Sequence, residues 1–275
     1  MNPHKIPAAG PFQLLQSIWT NRLLILQMTK REVIGRYRGS IMGLTWSFFN
    51  PILMLAVYTF VFSEIFKSRW VGVDTGKGGF AILVFVGMIV HGLFAECANR
   101  SPSLIITNSN YVKKVVFPVE ILPLITLGSA LFHSCISFIV LLLAQLIMTG
   151  TLFWSALLFP LILIPLILGT IGASWFLASL GVYLRDVGQI ITVLTTVLLF
   201  LSPVLYPVAA LPEMYQSWLQ MNPLTYVIEE SRNVLIFGNM PDWISLGYAT
   251  LTGTIIAIVG FWFFQRTRKG FADVI

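Results

Sequence analysis

A cluster of cationic side chains near the start of the chain offers the clearest chemistry in the sequence. Residues 29–51, TKREVIGRYRGSIMGLTWSFFNP, open with Lys30, Arg31, Arg36 and Arg38 against one acid, Glu32, and end uncharged. Guanidinium groups form forked hydrogen bonds that suit phosphate oxygens. The alternative is binding to anionic lipid, worth about 1 kcal/mol for each basic residue near the surface. The cluster predicts contact with phosphate, on a substrate or on membrane lipid.

The same stretch predicts the element that positions these arginines. At about 100° per residue, one helical arc collects apolar side chains, while Glu32 and Arg36 form an i,i+4 pair on the far side. Gly35, Gly39 and Gly43 then predict an elbow. We therefore expect an amphipathic helix on the membrane surface, followed by a turn into a membrane span. The arc consists of Leu23, Leu26, Val33, Ile34, Tyr37 and Ile41.

The other reactive residues form no catalytic or metal motif in the sequence. Residues 75–79, TGKGG, are similar to a phosphate-binding loop, but Val71 replaces its first glycine and Gly78 replaces its Ser or Thr. No acid lies in the middle of an apolar run, where a proton or sodium relay needs one. His91 and His133 are isolated. We expect no catalytic residue, metal or cofactor on this chain, and a motor on a separate chain.

Composition indicates that lipid is the solvent for most of the chain. Of its 275 residues, 57% are hydrophobic and only 10% are charged, whereas soluble domains average about 25% charged residues. Uncharged runs near the bilayer length of about 20 residues predict an all-α integral membrane protein with six spans. The predicted spans are residues 40–63, 78–95, two within 121–184 that divide near 148–154, then 187–203 and 243–265.

The distribution of basic residues predicts the orientation of the chain. Most lie in the N-terminal segment, the loop 96–118, the turn at Arg185 and the C-terminal segment, while Lys67, Arg69, Lys77 and Arg232 fall on the opposite side. The positive-inside rule then places both termini in the cytoplasm. We expect a single membrane domain over residues 1–275, with a cytoplasmic tail and interface helix at 1–39, six spans in 40–265 and a cytoplasmic tail at 266–275.

The segment 203–242 is too apolar for a free loop and is rich in proline. Two short helices are expected near 213–221 and 224–237, dipping back into the membrane from the outer side as re-entrant segments. They make this segment a candidate exit gate, with Tyr206, Glu229, Glu230 and Arg232 as its residues. We expect a polar rim in which Glu229 or Glu230 pairs with Arg232.

Four motifs carry a resemblance to a known family. They are RYRGSIMGLTWSFFNP at 36–51, LRDV at 184–187, SPVLYP at 202–207 and NPL at 222–224. Together, in order and over essentially the whole chain, they resemble the permeases of type-2 ABC exporters. The polysaccharide branch, which exports lipid-linked O-antigen, capsule or teichoic acid chains, is the most similar.

The resemblance implies an assembly that composition alone does not show. Two copies would form a homodimer in the bacterial inner membrane, and two ATPase subunits would dock beneath it and bind ATP and Mg. The cargo would be a glycan linked to undecaprenyl pyrophosphate, passing between protomers. Membrane lipids would be further partners, and no nucleic acid is expected.

The resemblance also implies roles for particular residues. Arg31, Arg36 and Arg38 would attract the pyrophosphate, with lipid binding as the alternative. Aromatic side chains would line the channel, or else pack against helices and lipid. Cytoplasmic residues would contact the ATPase, although Arg185 and Asp186 also suit a local ion pair. The channel aromatics are Trp46, Phe49, Tyr58 and Phe62; the coupling residues are Arg100, Lys113, Lys114, Arg185 and Asp186.

Two other functions fit the sequence less well. A drug or lipid exporter permease would share the topology. A membrane enzyme acting on lipid-linked sugars would need a catalytic acid pair or a metal motif, which this sequence lacks.

Overall fold

The computed structural model describes residues 11–65, 79–114 and 117–274, which are helical with no β-strand in those ranges. The predicted outer loop with Lys67, Arg69 and Lys77, and the residues 75–78 of TGKGG, lie outside them, as do residues 1–10 of the predicted N-terminal tail. The α-helices are α1 Pro11–Thr20, α2 Arg22–Arg36, α3 Trp46–Thr59, α4 Gly79–Thr107, α5 Ser109–Lys114, α6 Leu122–Thr149, α7 Phe159–Tyr183, α8 Val187–Leu201, α9 Glu213–Gln220, α10 Pro223–Leu235, α11 Trp243–Thr267 and α12 Phe271–Val274.

Short helical turns extend several of these helices. Pi-helical residues Phe60–Ile65 follow α3, and 3-10 turns occupy Gly43–Thr45, Val119–Ile121, Trp154–Leu158, Val208–Ala210 and Arg268–Gly270. The resulting continuous helices that are long and apolar enough to cross a membrane number five in the described ranges: Gly43–Ile65, Gly79–Thr107, Val119–Thr149, Trp154–Tyr183 and Trp243–Gly270. The chain is therefore a multi-pass membrane protein. Val187–Leu201, predicted as a further span, has 15 residues and is shorter than the usual bilayer length.

Helix α4 forms the centre of the bundle and runs farther than its predicted span. Instead of ending near residue 95, it continues through Pro102 to Thr107 and takes up half of the predicted loop 96–118. Ser101 Oγ donates to the Cys97 carbonyl at 2.6 Å, and α7 approaches so closely that a Cβ on Gly181 would lie 1.9 Å from Pro102 O. Packing against α7 thus keeps α4 helical through Pro102, although proline weakens isolated helices.

Helices α7 and α11 make the most extensive contact in the bundle, and glycines allow it. A Cβ on Gly172 would lie 2.4 Å from Ile256 O, and one on Gly260 would lie 2.1 Å from Gly172 O. Small residues at such crossings let two backbones approach in membranes, where association depends on close packing.

Helix α3 follows the predicted elbow and is covered least. Gly39 and Gly43 have φ angles of 88° and 52°, a left-handed conformation that glycine adopts readily. The helix buries only Ser47 and Leu55. In the most apolar 18-residue stretch of each helix, 6% of the residues of Gly43–Ile65 are buried, whereas 72% of those of Gly79–Thr107 are. The glycine elbow is therefore confirmed at Gly39 and Gly43, whereas Gly35 lies within α2, and the elbow presents α3 at the edge of the bundle.

Residues 266–274 of the predicted C-terminal tail pack against the bundle. Helix α11 continues to Thr267, and Phe271 is fully buried, with its ring 5.4 Å from that of Phe264. The Tyr183 hydroxyl donates to Thr267 O at 2.9 Å. An apolar side chain after a basic run thus attaches this segment to α7 and α11.

We expect Gly260→Ala to destabilise the protein by about 1–3 kcal/mol, because the new methyl group would overpack the contact with Gly172. Gly247→Ala on the same helix is the control, since nothing lies within 4 Å of its Cβ position. It should be neutral or stabilising by up to about 1 kcal/mol, because alanine has the higher helix propensity. Thermal unfolding in detergent measures both, and equal shifts would contradict the packing.

Candidate functional site

Helix α2 carries Arg31 and Arg36 and packs along α6, and Arg38 lies in the turn after it. Val33 is buried, and a Cβ on Gly128 would lie 2.9 Å from Thr29. Leu23, Leu26 and Ile34 remain exposed. Apolar side chains thus cover both the protein-facing and an outer side of α2, which suits a helix between a bundle and lipid.

Charged side chains of α2 pair with α4 and not with each other. Glu32 meets Arg100 at 2.5 Å, Arg36 pairs with Glu96, and Arg100 also lies 3.5 Å from Glu96. The predicted pair of Glu32 with Arg36 is therefore wrong, because α4 offers each a partner of opposite sign. These four residues form a neutral network that fixes α2 on α4. Arg100, predicted in a cytoplasmic loop, belongs to this network and lies within α4.

A polar pocket lies beside this network, between α2, α3, α4 and α6. Its volume is about 290 Å³, with Arg36, Tyr37, Glu96, Asn50 and His133 among its polar lining and Met54, Phe85 and Ile89 among its apolar lining. The pocket is thus polar at the α2–α4 junction and becomes apolar along α3 and α4. Such a gradient suits an amphiphile whose polar group lies at the arginine.

Tyr37 and His133 meet within this pocket. Tyr37 Oη lies 3.3 Å from His133 Nδ1, and their rings meet edge to face with centroids 5.8 Å apart. Burial raises the pKa of Tyr37, so its phenol stays protonated. His133 Nε2 is buried without a hydrogen-bond partner among the described residues. The pocket therefore retains unused hydrogen-bonding capacity that a bound polar group would satisfy.

The three predicted phosphate ligands occupy different surroundings. All three are exposed, but Arg36 lines the pocket and pairs with Glu96, while Arg31 and Arg38 have no ion pair within the described chain. The predicted aromatic residues are divided as well. Tyr58 lines the pocket, Trp46 and Phe49 form an exposed edge-to-face pair at 5.3 Å, and Phe62 packs against Phe80 at 5.2 Å.

Arg232, one of the predicted gate residues, forms a buried clamp with Glu229 and two carbonyls at the opposite end of α4. Arg232 is 1% exposed and donates to Leu83 O at 3.0 Å, to Val204 O at 2.8 Å and to Glu229 Oε1 at 2.7 Å. The predicted pairing with Glu229 is confirmed. The predicted rim is wrong for Arg232 and for Glu230, which is 7% exposed and accepts from the Asp242 N–H at 2.9 Å. Carbonyls of α4 and of the turn before α9 draw the guanidinium inward.

Helix α10 is held by further polar side chains that the sequence did not single out. Ser155 Oγ donates to Val234 O at 2.7 Å, and Gln145 Nε2 donates to Leu235 O at 2.9 Å. These bonds satisfy the free carbonyls at the end of α10. In the sequence, Gln145 could have indicated this contact, because it is the single amide within an otherwise apolar run. Tyr206, also predicted at the gate, donates to Phe200 O at 2.8 Å.

The remaining predicted coupling residues lie at the end of the bundle opposite the Arg232 clamp. Lys113 and Lys114 belong to α5, and Arg185 and Asp186 are exposed at the turn before α8. The described chain contains no ion pair between Arg185 and Asp186. Instead Asp186 O accepts the Gln189 and Ile190 N–H groups that begin α8. The local ion pair is therefore not formed.

Glu120, for which the sequence predicted no role, connects several segments at this end of the bundle. Its carboxylate accepts from Arg268 at 2.8 Å and from Ser17 at 3.1 Å, and its carbonyl accepts from Trp175 at 2.9 Å. One acid thus joins α1, the start of α6, α7 and the segment after α11.

Glu96→Gln should lower the stability of the protein by about 1 kcal/mol, the range of partly exposed ion pairs, because Arg36 and Arg100 lose a common partner. Thermal unfolding in detergent at low and high salt measures the effect, which should shrink with salt. Glu213→Gln, at an exposed acid on α9, is the control. A Glu96→Gln protein as stable as this control would contradict the network.

Arg232→Met is expected to cost about 3 kcal/mol or more, because it removes the guanidinium hydrogen bonds to Leu83 O and Val204 O and leaves Glu229 without its buried partner. Arg232→Lys should recover only part of this, since one ammonium cannot reproduce the guanidinium fork. Urea or thermal unfolding compares both with Arg31→Met, at an exposed position. Equal stability of the three variants would argue against the clamp.

Comparison with known proteins identifies the family. Residues 24–236 match the model of the ABC-2 type transporter family. The O-antigen export system permease protein RfbA of Klebsiella pneumoniae is 27% identical over 255 residues, covering 92% of this chain and 95% of the relative. RfbA of Myxococcus xanthus is 24% identical over 265 residues, 96% of this chain and 99% of the relative.

A third relative is similar over nearly the same length. The polysialic acid transport protein KpsM of Escherichia coli is 25% identical over 246 residues, which cover 87% of this chain and 91% of the relative. The family model spans nearly all of α2, the polar pocket and the Arg232 clamp. The chain belongs to the ABC-2 transporter permease family.

Proposed function

We propose that this chain is the membrane subunit of an ATP-driven exporter that moves a lipid-linked polysaccharide, of O-antigen or capsule type, to the outer side of the bacterial inner membrane. The observation that carries the proposal is its similarity, over 87–96% of its length, to permeases named for O-antigen export and polysialic acid transport. The orientation with both termini in the cytoplasm rests on the distribution of basic residues.

The polar pocket supports a path for the lipid pyrophosphate. Arg31 and Arg38 are exposed near the α2–α3 junction and provide the first positive charge. Arg36, inside the pocket, exchanges Glu96 for the pyrophosphate, and the freed Glu96 retains Arg100 at 3.5 Å. Charge-assisted hydrogen bonds from guanidinium to phosphate provide the affinity. The apolar part of the pocket along α3 receives the adjoining hydrocarbon.

A second copy of the chain completes the channel. Helix α3 is almost uncovered and presents Trp46 and Phe49 at its exposed edge. Pairing of two such edges would cover them and would place aromatic faces along a glycan path. In this arrangement α8 serves as the fifth of six spans, and α9 and α10 are re-entrant segments at the exit. The fixed position of α10 supports its role as the stationary side of that exit.

Two ATPase subunits supply the energy and hold ATP and Mg. Helix α5, with Lys113 and Lys114, and the exposed turn at Arg185 and Asp186 provide the docking surface. Arg268 donates to Phe117 O at 3.4 Å, and its ion pair with Glu120 joins the start of α6 to the segment after α11. Movement of α5 is thereby passed to two long helices.

Complementation tests this function. A strain lacking the gene should accumulate lipid-linked polymer in the cytoplasm, and the chain with its ATPase should restore the polymer to the surface. Arg31→Ala/Arg38→Ala should lower export about tenfold, the effect of losing about 1.4 kcal/mol of phosphate binding. Arg22→Ala is the matched control, because Arg22 lies on the same helix and stacks over Trp19.

Immunoblotting of membranes verifies equal insertion of all three proteins. Surface polymer that is independent of the gene would refute the proposed export. Normal export by the Arg31→Ala/Arg38→Ala protein would refute the arginine path and leave the export function standing.

A further inference from the structure

A cavity of about 660 Å³ lies between α7, α8, α10 and α11, apart from the polar pocket. Apolar side chains form much of its wall, including Phe94, Leu166, Leu198 and Ile256. Small-molecule sites have volumes of roughly 300–1,000 Å³. Helices α7 and α11 are long enough to cross a membrane, so the cavity borders the bilayer. Its size and lining therefore suit a hydrocarbon chain that enters from the lipid.

The side of the cavity is open, and its inner wall is closed. Tyr248, Thr252 and Ile256 recur every four residues along α11, line the cavity and are exposed. On the inner side, a Cβ on Gly253 would lie 2.6 Å from Pro165 O, so α7 and α11 leave no gap there. A chain can thus enter from the exposed face of α11 and lie against the α7–α11 contact.

One end of the cavity is polar. Asn222, Tyr226 and Ser245 line it where α10 and α11 begin. Ser245 Oγ donates to Asp242 Oδ2 at 2.5 Å, and Tyr226 Oη donates to Asp242 O at 3.3 Å. The hydrogen bond from Ser245 lowers the pKa of Asp242 and keeps its carboxylate ionised at neutral pH. An anion thus stands beside the mouth of an apolar cavity.

The charge at this mouth selects among membrane amphiphiles. None of the described residues that line the cavity is Lys or Arg, so an anionic phosphate finds no cation in the wall. A zwitterionic head group offers an ammonium that Asp242 attracts. Phosphatidylethanolamine combines such an ammonium with acyl chains, whereas a polyprenyl phosphate carries only the anion.

We propose that the cavity binds one acyl chain of a zwitterionic phospholipid, with the lipid ammonium beside Asp242. Among the described residues, the cavity shares no lining residue with the polar pocket proposed for the lipid pyrophosphate. It gives the α7–α11 unit a bound lipid at the end where α9 and α10 meet it.

Photolabelling of the whole chain in proteoliposomes tests the acyl site. The probe is phosphatidylethanolamine with a diazirine on one acyl chain, and adducts are located by mass spectrometry. We expect adducts on cavity residues of α7 and α11. Gly169→Phe should reduce them about tenfold, because nothing lies within 4 Å of the Gly169 Cβ position and the ring would displace two or more methylene groups.

Gly247→Phe is the matched control, since its Cβ position is equally open and Gly247 does not line the cavity. Thr252→Trp, at an exposed position on the wall, provides a second filling variant if Gly169→Phe does not fold. Adducts that persist in a folded filling variant, or that are lost equally in Gly247→Phe, would overturn the acyl site.

Two further probes test the head group. Wild-type protein should take more label from phosphatidylethanolamine than from phosphatidylglycerol with the same acyl probe, and Asp242→Asn should abolish this preference. Asparagine also caps helices, so the start of α11 should be retained. Equal labelling by both lipids in the wild type, or stronger cavity labelling by a diazirine polyprenyl phosphate, would overturn the assignment to a zwitterionic phospholipid.

Discussion

A guanidinium group that is almost completely buried imposes the strictest local constraint in the structure. Arg232 must pair its N–H groups inside the bundle, because an unpaired charge there is very costly. It does so with carbonyls of α4 and of the turn before α9, and with Glu229. Gly87 is part of the same arrangement, since a Cβ there would lie 3.1 Å from the guanidinium and 3.0 Å from Val204 Cα. The choice of a small residue on α4 follows from the cation on α10.

Helix α4 connects this clamp to the charges at its other end. Near its start, Leu83 O accepts from Arg232; near its end, Glu96 and Arg100 hold α2. Both clusters contain acid and base in contact, which limits the cost of charges at the margin of an apolar bundle. Because α4 is also the most deeply buried long helix, the arginine helix and the α9–α10 segment share one rigid support.

Sequence patterns predicted the positions of the helices far better than the contacts between them. Apolar runs and proline positions located the long helices, the elbow at Gly39 and Gly43, and both α9 and α10, because these depend on local composition. Glu32 and Arg36 each pair with a residue of α4 and not with each other. This depends on how α2 and α4 cross, which the periodicity of the sequence does not reveal. The continuation of α4 through Pro102 likewise depends on α7, and the burial of Arg232 depends on carbonyls distant in sequence.

The glycine contact between α7 and α11 has a consequence for how the protein is made. Helix α7 leaves the ribosome well before its main partner, and the intervening segment 184–242 takes about 3–12 s to synthesise at about 5–20 residues per second. During this interval the face around Gly172 must rest against lipid or an insertion factor. Membrane insertion of α11 therefore completes this contact, and a chain truncated before α11 would leave the face around Gly172 without its protein partner.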